Sequence, residues 1–526
     1  MRASPQIGTG CARRSEATRA NLRDMHETTS SPWQASAELP ACAPLAADVT
    51  TDVCVVGAGI VGMTTAYLLA QAGRRVVVLE AGELGGGNTG RTTAHLASAL
   101  DDRYSALVRV RGREHASTAW RAHTAAIDEI AAIVRAERID CAFERVDGYL
   151  ALAPGQDAGV LDEELAACRE IGFTEVTRVA DTPLGGPGLR FPGQAQFHPL
   201  RYLAGLVRAV LRAGGAVYTH TRAARIVGGA EPRVETGDGR VVHAAAVVQA
   251  TNVPIDDNQG VHPRQAPYMT YALALRVPAG LVPRGLFWDT ADPYHYVRVH
   301  PVDDGELLIV GGEDHKAGQA DDGARRLAEL EAWARAHFPG AGPVAHRWSG
   351  MVLESIDGLA LIGRAHGEEH VYIATGDSGM GMTHGTIAGM LIRDLQLGVA
   401  TPWQAVFDPA RAPIRAAGEA LRENLNVAAQ YAEWIGPGEV KSVDEIPPGG
   451  GAVIRRGISK LAVHRDEAGR LHACSAACPH LLGPVAWNAL ESTWDCTCHG
   501  SRFDAYGRVI NGPANRDLTP VTLDET

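Results

Sequence analysis

Apolar and polar positions follow three rhythms along the chain. Four short runs, Val53–Val56, Val76–Leu79, Val247–Ala250 and Val371–Thr375, are almost wholly apolar, the pattern of strands buried on both faces of a parallel sheet. Tyr268–Val277, Tyr294–Val299 and Glu306–Val310 alternate instead, the last two joined through Asp303-Asp304-Gly305, as antiparallel strands on a sheet floor do. Apolar residues at helical spacing mark Met63–Gln71, Ser105–Arg138, Leu161–Arg169, a helix opened at Phe197-His-Pro-Leu-Arg201 and running to Leu211, Asp321–His337, a stretch ending at Leu397, and Arg415–Trp434. Near the end, Ala452–Ile454, Leu461–His464 and Leu471–Ala473 are spaced like strands of a small β domain.

The first buried run leads into Gly57-x-Gly59-x-x-Gly62, and the second ends at Glu80, 23 residues after Gly57. Strand, glycine turn, helix and acid-terminated strand together form a dinucleotide fingerprint. Gly57 allows the tight turn, Gly59 lets backbone amides approach a pyrophosphate, and Gly62 lets helix and strand pack closely. The helix N-terminus offers unpaired N–H groups to that anion, and Glu80 is placed to accept from a ribose diol. Just beyond Glu80, the glycine-rich stretch Gly85–His95 offers Asn88, Thr89, Arg91, Thr92 and Thr93 as donors to the rest of the cofactor. A second strand, glycine loop and helix follows at Val371–Gly385, read Gly376-Asp-Ser-Gly-Met-Gly-Met-Thr-His-Gly385.

Composition narrows the partners. The 526 residues suffice for two or three domains, and 49 basic against 61 acidic residues leave a net charge of −12, which disfavours a nucleic-acid partner. No apolar run approaches the roughly 18 residues of a membrane helix. The first 35 residues are polar, and Arg13-Arg14 is followed by no apolar core, so a disordered tail is expected rather than an export signal, with Met25 an alternative start and a cytoplasmic location. Five of the nine cysteines are scattered, whereas Cys474, Cys478, Cys496 and Cys498 crowd the end; without a secretion signal such crowding reads as a metal site.

That end holds Cys478-Pro-His480 and, fifteen residues later, Cys496-Thr-Cys498-His499-Gly-Ser501. Two thiolates and two imidazoles from two loops are the ligand set of a Rieske [2Fe–2S] centre, with structural zinc as the alternative use of the same donors. The flanking Trp487-Asn488, Trp494-Asp495, His499-Gly-Ser-Arg-Phe-Asp504 and Asn511-Gly-Pro-Ala514 resemble the Rieske fold and its proline loop. The resemblance implies Cys478, His480, Cys496 and His499 as ligands. It also places Gly483 where respiratory Rieske proteins carry a cysteine paired to the position of Cys498, and Phe503 where high-potential members carry a tyrosine. Fewer donors to the cluster imply a lower potential than theirs.

Residues of about 50 to 400 resemble the D-amino-acid-oxidase-like FAD oxidoreductases, the group of glycine, sarcosine and gamma-glutamylputrescine oxidases. The features are the fingerprint with Glu80, Ala250-Thr251-Asn252, the stretch Trp348…Asp357-Gly358…Ile362-Gly363, and the glycine loop before the last helix of that region. The resemblance implies FAD, with Gly57, Gly59, Gly62, Glu80, Arg91, Thr92, Val227, Thr251, Gly379, Gly381, Met382 and Thr383 as its contacts. No second GxGxxG is present for a nicotinamide cofactor. Glycine-oxidase-like members carry an arginine for the substrate carboxylate a few residues before the Asp-Gly pair; Val352 stands there, with Glu354 two further on. Without that guanidinium an amine substrate is expected in place of an amino acid.

The expected architecture is an α/β FAD-binding Rossmann-like domain with an inserted α+β substrate domain, followed by a small all-β Rieske domain. Residues 1–48 form the tail and 49–400 the oxidoreductase. FAD-binding parts lie at about 50–100, 197–255 and 345–400, and substrate parts at about 140–195 and 262–340. Residues 401–450 form a helical linker and 451–526 the Rieske domain. The expected activity is oxidation of a small amine, electrons passing from reduced flavin through the [2Fe–2S] centre to an external acceptor, a protein or a quinone. The candidate substrate-side residues are His384, Tyr268, Tyr271 and Glu354. Two other readings stand beside it: an oxygen-using oxidase with a regulatory Rieske domain, and a redox-sensing or electron-transfer module.

Overall fold

The computed structural model describes residues 29–255, 260–411 and 417–523. The four apolar runs lie side by side in one sheet, in the order Leu361–Arg364, Val371–Thr375, Val241–Gln249, Val49–Val56, Val76–Leu79 and Ala216–Tyr218. Only the Leu361–Arg364 pairing along this path is antiparallel. Helices Ile60–Gln71, Pro199–Arg212 and Gly381–Leu397 cover one face, and on the other Cys54, Val56, Val77 and Val247 pack against Leu45, Ala223 and Val234, so the strands are buried on both faces as parallel strands require. Gly57 has φ +103°, and a Cβ there would meet Ala250 O at 2.3 Å; a Cβ on Gly62 would meet Gly57 O at 1.8 Å. Gly57 and Gly62 are thus required by close backbone approach.

The alternating segments form a second, nine-stranded sheet, with Val344–Ser355, Gln265–Val277, Gly305–Lys316, His295–Val302, Leu286–Asp289, Glu144–Ala151, Gly188–Gln196 and His95–Leu96 along its main path. On Gln265–Val277 the period of two sends Tyr271, Leu273 and Leu275 toward helix Gly323–His337, where Leu327, Leu330 and Ala334 meet them. Thr270 and Ala272 face the other way, into the cleft between the sheets.

Three sequence expectations are revised. Ser105–Arg138 is two helices, Tyr104–Arg111 and Arg113–Glu137, broken at Gly112, whose φ of +81° no helix accommodates. Val344–Ser355, read with the nucleotide domain, is the edge strand of the second sheet, paired along Gln265–Leu275. Of the expected tail, residues 1–28 lie outside the described residues, but 29–48 pack onto the body. A short helix Pro32–Ser36 buries Trp33 completely, and its indole N–H donates to Thr92 O at 2.6 Å.

The expected linker also splits. Residues 401–411 belong to the oxidoreductase, with Phe407 fully buried and Arg411 paired to Asp357. Helix Ala417–Gln430 and the turn Tyr431–Trp434 form a strut: Lys316 Nζ reaches Glu423 Oε2 at 2.5 Å on one side, while Tyr431 and Trp434 donate to Leu481 O and Leu482 O on the other. The C-terminal domain stacks a three-stranded sheet (Gly451–Arg456, Ser459–Arg465, Leu471–Ser475) near a four-stranded one (Val485–Asn488, Thr493–Cys496, Arg502–Asp504, Val509–Asn511). Its core holds Trp487, Trp494, Phe503 and Leu518.

Candidate active site and metal centre

A cleft of about 560 Å³ runs from the glycine fingerprint into the space between the two sheets, and residues of the C-terminal domain line part of it. Gly59 caps helix Ile60–Gln71, so the helix N-terminus opens into it. Glu80 accepts from the N–H groups of Ala58 and Gly82 at 2.9 and 3.0 Å, which fixes its carboxylate at the strand end. The residues fit a dinucleotide: backbone crowding permits only glycine at Gly57 and Gly62, and an oriented acid stands where a ribose diol is recognised.

Of the sequence-predicted cofactor residues, Gly57, Gly59, Glu80, Arg91, Thr92, Thr251, Gly379, Gly381 and Met382 line this cleft. Gly62 acts behind it, through its contact with Gly57. Val227 and Thr383 do not line it. The corresponding strand contributes Arg222 and Ala223 instead, and the Thr383 hydroxyl pairs with His123 Nδ1 at 2.9 Å. Arg91 has a second commitment. Its guanidinium donates to Ser349 O, Thr29 O and Glu491 Oε1 at 2.9, 2.9 and 3.1 Å, tying the cofactor loop to the C-terminal domain.

Of the four substrate-side candidates, Glu354 lines the cleft, as does Val352. Tyr271 faces the helix-covered side, its hydroxyl 2.9 Å from His315 Nε2. Tyr268 lies beyond the cleft, near Lys316 Nζ, which sits 5.9 Å from its ring centre. His384 is buried in its helix, with Nδ1 bonded to Asp377 O at 2.8 Å and its ring edge-on to His123; burial lowers its pKa to about 4. These three side chains therefore serve packing, and the period of two accounts for Tyr271 directly.

Sequence reasoning missed the company Glu354 keeps. Asp101, Asp314 and Asp377 line the same part of the cleft, with Tyr294 and Tyr296. Their faces toward the cleft are open to a small molecule, while protein encloses them on the other sides. Asp101 has its side chain open to the cleft, yet the loss of surrounding water first, and then the charge of the adjacent Asp102, raise it to about 7, and burial raises Asp314 and Asp377 to about 6. Glu354 is pushed well above its ordinary range by burial and by the charges of Asp102, Asp101, Asp377 and Asp314. The Tyr294 hydroxyl donates to Asp101 Oδ2 at 3.0 Å. Asp377 lies in the glycine loop already visible in the sequence, but nothing there marks Asp101 or Asp314.

The C-terminal domain brings its two cysteine–histidine loops together. Cys478 and Cys496 are buried side by side, and the His480 and His499 rings stand 5.2 Å apart at 88°. Cys478 and Cys496 share a proton, the hydrogen bond between them raising the one thiol and lowering the other. A thiol pair beside an imidazole pair is the division that a two-iron cluster needs. A Cβ on Gly483 would lie 2.8 Å from Cys498 Sγ, so Gly483 occupies the place opposite that cysteine.

The histidine edge of this centre faces the oxidoreductase. His262 sits edge-on to both His480 and His499, with ring centres at 4.7 and 5.9 Å. Gly500 is pressed onto the second sheet, where a Cβ would meet Pro267 Cβ at 2.7 Å and Met351 Sδ at 2.9 Å. Met351 in turn lines the cleft.

Comparison with known proteins agrees with both halves. The DAO family model, described as FAD dependent oxidoreductase, matches residues 52–395, and the Rieske [2Fe-2S] domain model matches 436–522. A Bacillus subtilis (strain 168) protein described as a candidate Rieske 2Fe-2S iron-sulfur protein is 32% identical over 513 residues, covering 96% of this chain and all of that one. Gamma-glutamylputrescine oxidoreductase of Escherichia coli (strain K12) is 27% identical over 77% of this chain and its own full length. Among solved structures, glycine oxidase from Geobacillus kaustophilus superposes with a TM-score of 0.59 at 20% identity, covering 69% of this chain and 99% of that one.

Proposed function

Because the chain belongs to the DAO family of FAD dependent oxidoreductases and carries a C-terminal Rieske [2Fe–2S] domain, we propose that it oxidises a cationic amine and delivers the electrons through the cluster to an external acceptor. The observation that carries the substrate reading is the carboxylate set Asp101, Asp314, Glu354 and Asp377, with Val352 where glycine-oxidase-like enzymes place an arginine. These acids bind an ammonium group and repel a carboxylate. An entering ammonium displaces their mutual repulsion and can surrender a proton to Asp101, whose pKa of about 7 suits that exchange near neutrality. The neutral amine then loses the equivalent of a hydride and becomes an iminium ion, which water hydrolyses to a carbonyl compound with release of ammonium or the remaining amine.

When bound, FAD accepts the electron pair and the [2Fe–2S] centre accepts electrons one at a time. The chain's own share is contact: Met351 touches the cleft on one side and the His499-Gly500 loop on the other, and His262 abuts both imidazole ligands. The test is anaerobic titration with simple amines, diamines and α-amino acids, following flavin absorbance and the electron paramagnetic resonance of the cluster together. Amines should bleach the flavin, and the cluster signal should grow with it. Faster reduction by glycine or a D-amino acid would sink the substrate reading. A cluster that stays oxidised over fully reduced flavin would sink the internal transfer.

A further inference from the structure

We propose that the Rieske domain supplies one wall of the FAD site: the segment Arg508–Asn515 closes over the adenosine end of the cleft, so that the cofactor is held between the two domains. The adenosine end is marked by Glu80 at the tip of its strand and by Arg222 next to Thr221, whose N–H donates to Glu80 O at 2.8 Å. Facing these two residues across the same cleft are Arg508, Val509, Ile510 and Asn511.

The contact is built rather than incidental. Val509–Asn511 is an edge strand of its sheet, and an edge strand leaves a row of backbone groups unpaired. Here the outward groups of Val509 are met: Arg222 Nη2 donates to Val509 O at 2.9 Å, and Val509 N donates to Asp517 Oδ1 at 2.9 Å. A few residues on, Asn515 Nδ2 donates to Ala224 O at 2.8 Å. The segment is therefore pinned at two points to Arg222 and Ala224, just beyond Thr221, which bonds Glu80. The chemistry on offer also matches. Adenosine presents an apolar aromatic face and leads to an anionic diphosphate; the wall presents Ile510, whose strand neighbour Val509 points into the domain core, with Arg508, paired to Asp504, beside it.

Linkage follows from a shared wall. If the docked Rieske domain strengthens FAD binding, bound FAD strengthens docking by the same factor. The test uses the full-length, cluster-loaded protein. FAD is removed and restored, and its dissociation constant is read from flavin fluorescence in the parent and in Ile510→Asp, with the cluster's visible spectrum confirming an intact domain. The proposal expects about tenfold or greater weakening. It also expects backbone amides of 509–515 in the unsubstituted protein to exchange more slowly with FAD bound than without it. Unchanged affinity in a cluster-loaded variant overturns the proposal. Should the variant lose its cluster, the exchange measurement on the parent decides, and indifference of 509–515 to FAD overturns it.

Discussion

Carboxylates enclosed by protein occur in two settings in this molecule, and the contrast separates architecture from chemistry. In the first each has an arginine: Glu491 with Arg91 across the domain junction at 3.1 Å, Asp495 with Arg502 inside the C-terminal domain at 3.0 Å, Asp357 with Arg411 inside the oxidoreductase at 2.7 Å. Burial would raise Glu491, but the charges of Arg91 and Arg502, with donation from Ser349 and Thr29, hold it below its ordinary range. In the cleft, Asp101, Asp314, Glu354 and Asp377 crowd together with no arginine among the lining residues at that end, and all are raised. A buried acid with a fixed cation holds a structure in place. A group of acids lacking one is a demand that a ligand can meet.

The largest effect should come from breaking a paired site. Glu491→Ala leaves Arg91 buried without its anion, and removal of one partner of a buried pair costs about 3–5 kcal/mol. The midpoint of urea unfolding should fall accordingly, with loss of cooperativity between the flavin and cluster signals as the Rieske domain loosens. A midpoint unchanged within error would show that this pair does not hold the junction.

The next effect concerns the unpaired set. Glu354→Gln keeps the shape and removes the ionisation that a bound ammonium draws from this raised carboxyl, so KM for amines should rise about tenfold, the equivalent of about 1.4 kcal/mol. Val352→Arg in the same cleft should abolish amine turnover and favour carboxylate-bearing substrates. An unaltered KM in Glu354→Gln would remove this residue from substrate binding.

The smallest effect is a difference in pH dependence, with opposite signs in the two settings. Glu491 and Asp357 have depressed pKa values, so their stabilisation is full above the ordinary carboxylate range and is lost as pH falls through their lower folded-state values. The cleft acids have raised values, so the folded state binds protons more tightly and stability declines as pH rises from the ordinary carboxylate range to about 7. In substrate-free protein, Asp101→Asn should flatten the decline between about pH 4 and 7. A bound amine should do the same, and thermal unfolding across that range measures both. A slope identical to that of the parent would show that Asp101 is not held in its raised state.

The sequence by itself determined the local chemistry of both cofactor sites. The two cysteine–histidine loops lie within 22 residues of each other, and the glycine fingerprint with Glu80 within 24. Such features are legible because ligand type, spacing and backbone crowding are properties of contiguous chain. The apolar runs likewise foretold the parallel strands, since burial on both faces leaves no polar position. Tertiary structure decided the rest. Asp101, Asp314, Glu354 and Asp377 come from four separate segments and meet only when two sheets face each other. Tyr271 leaves the cleft because a strand turns alternate side chains to opposite faces. Trp33 and Phe407, read as tail and linker, became core once there was a surface to bury them against. The Arg91–Glu491 pair spans 400 positions, and His262 meets His480 across 218. No local pattern encodes contacts of that range, because the energy that holds them exists only after both domains have folded and docked.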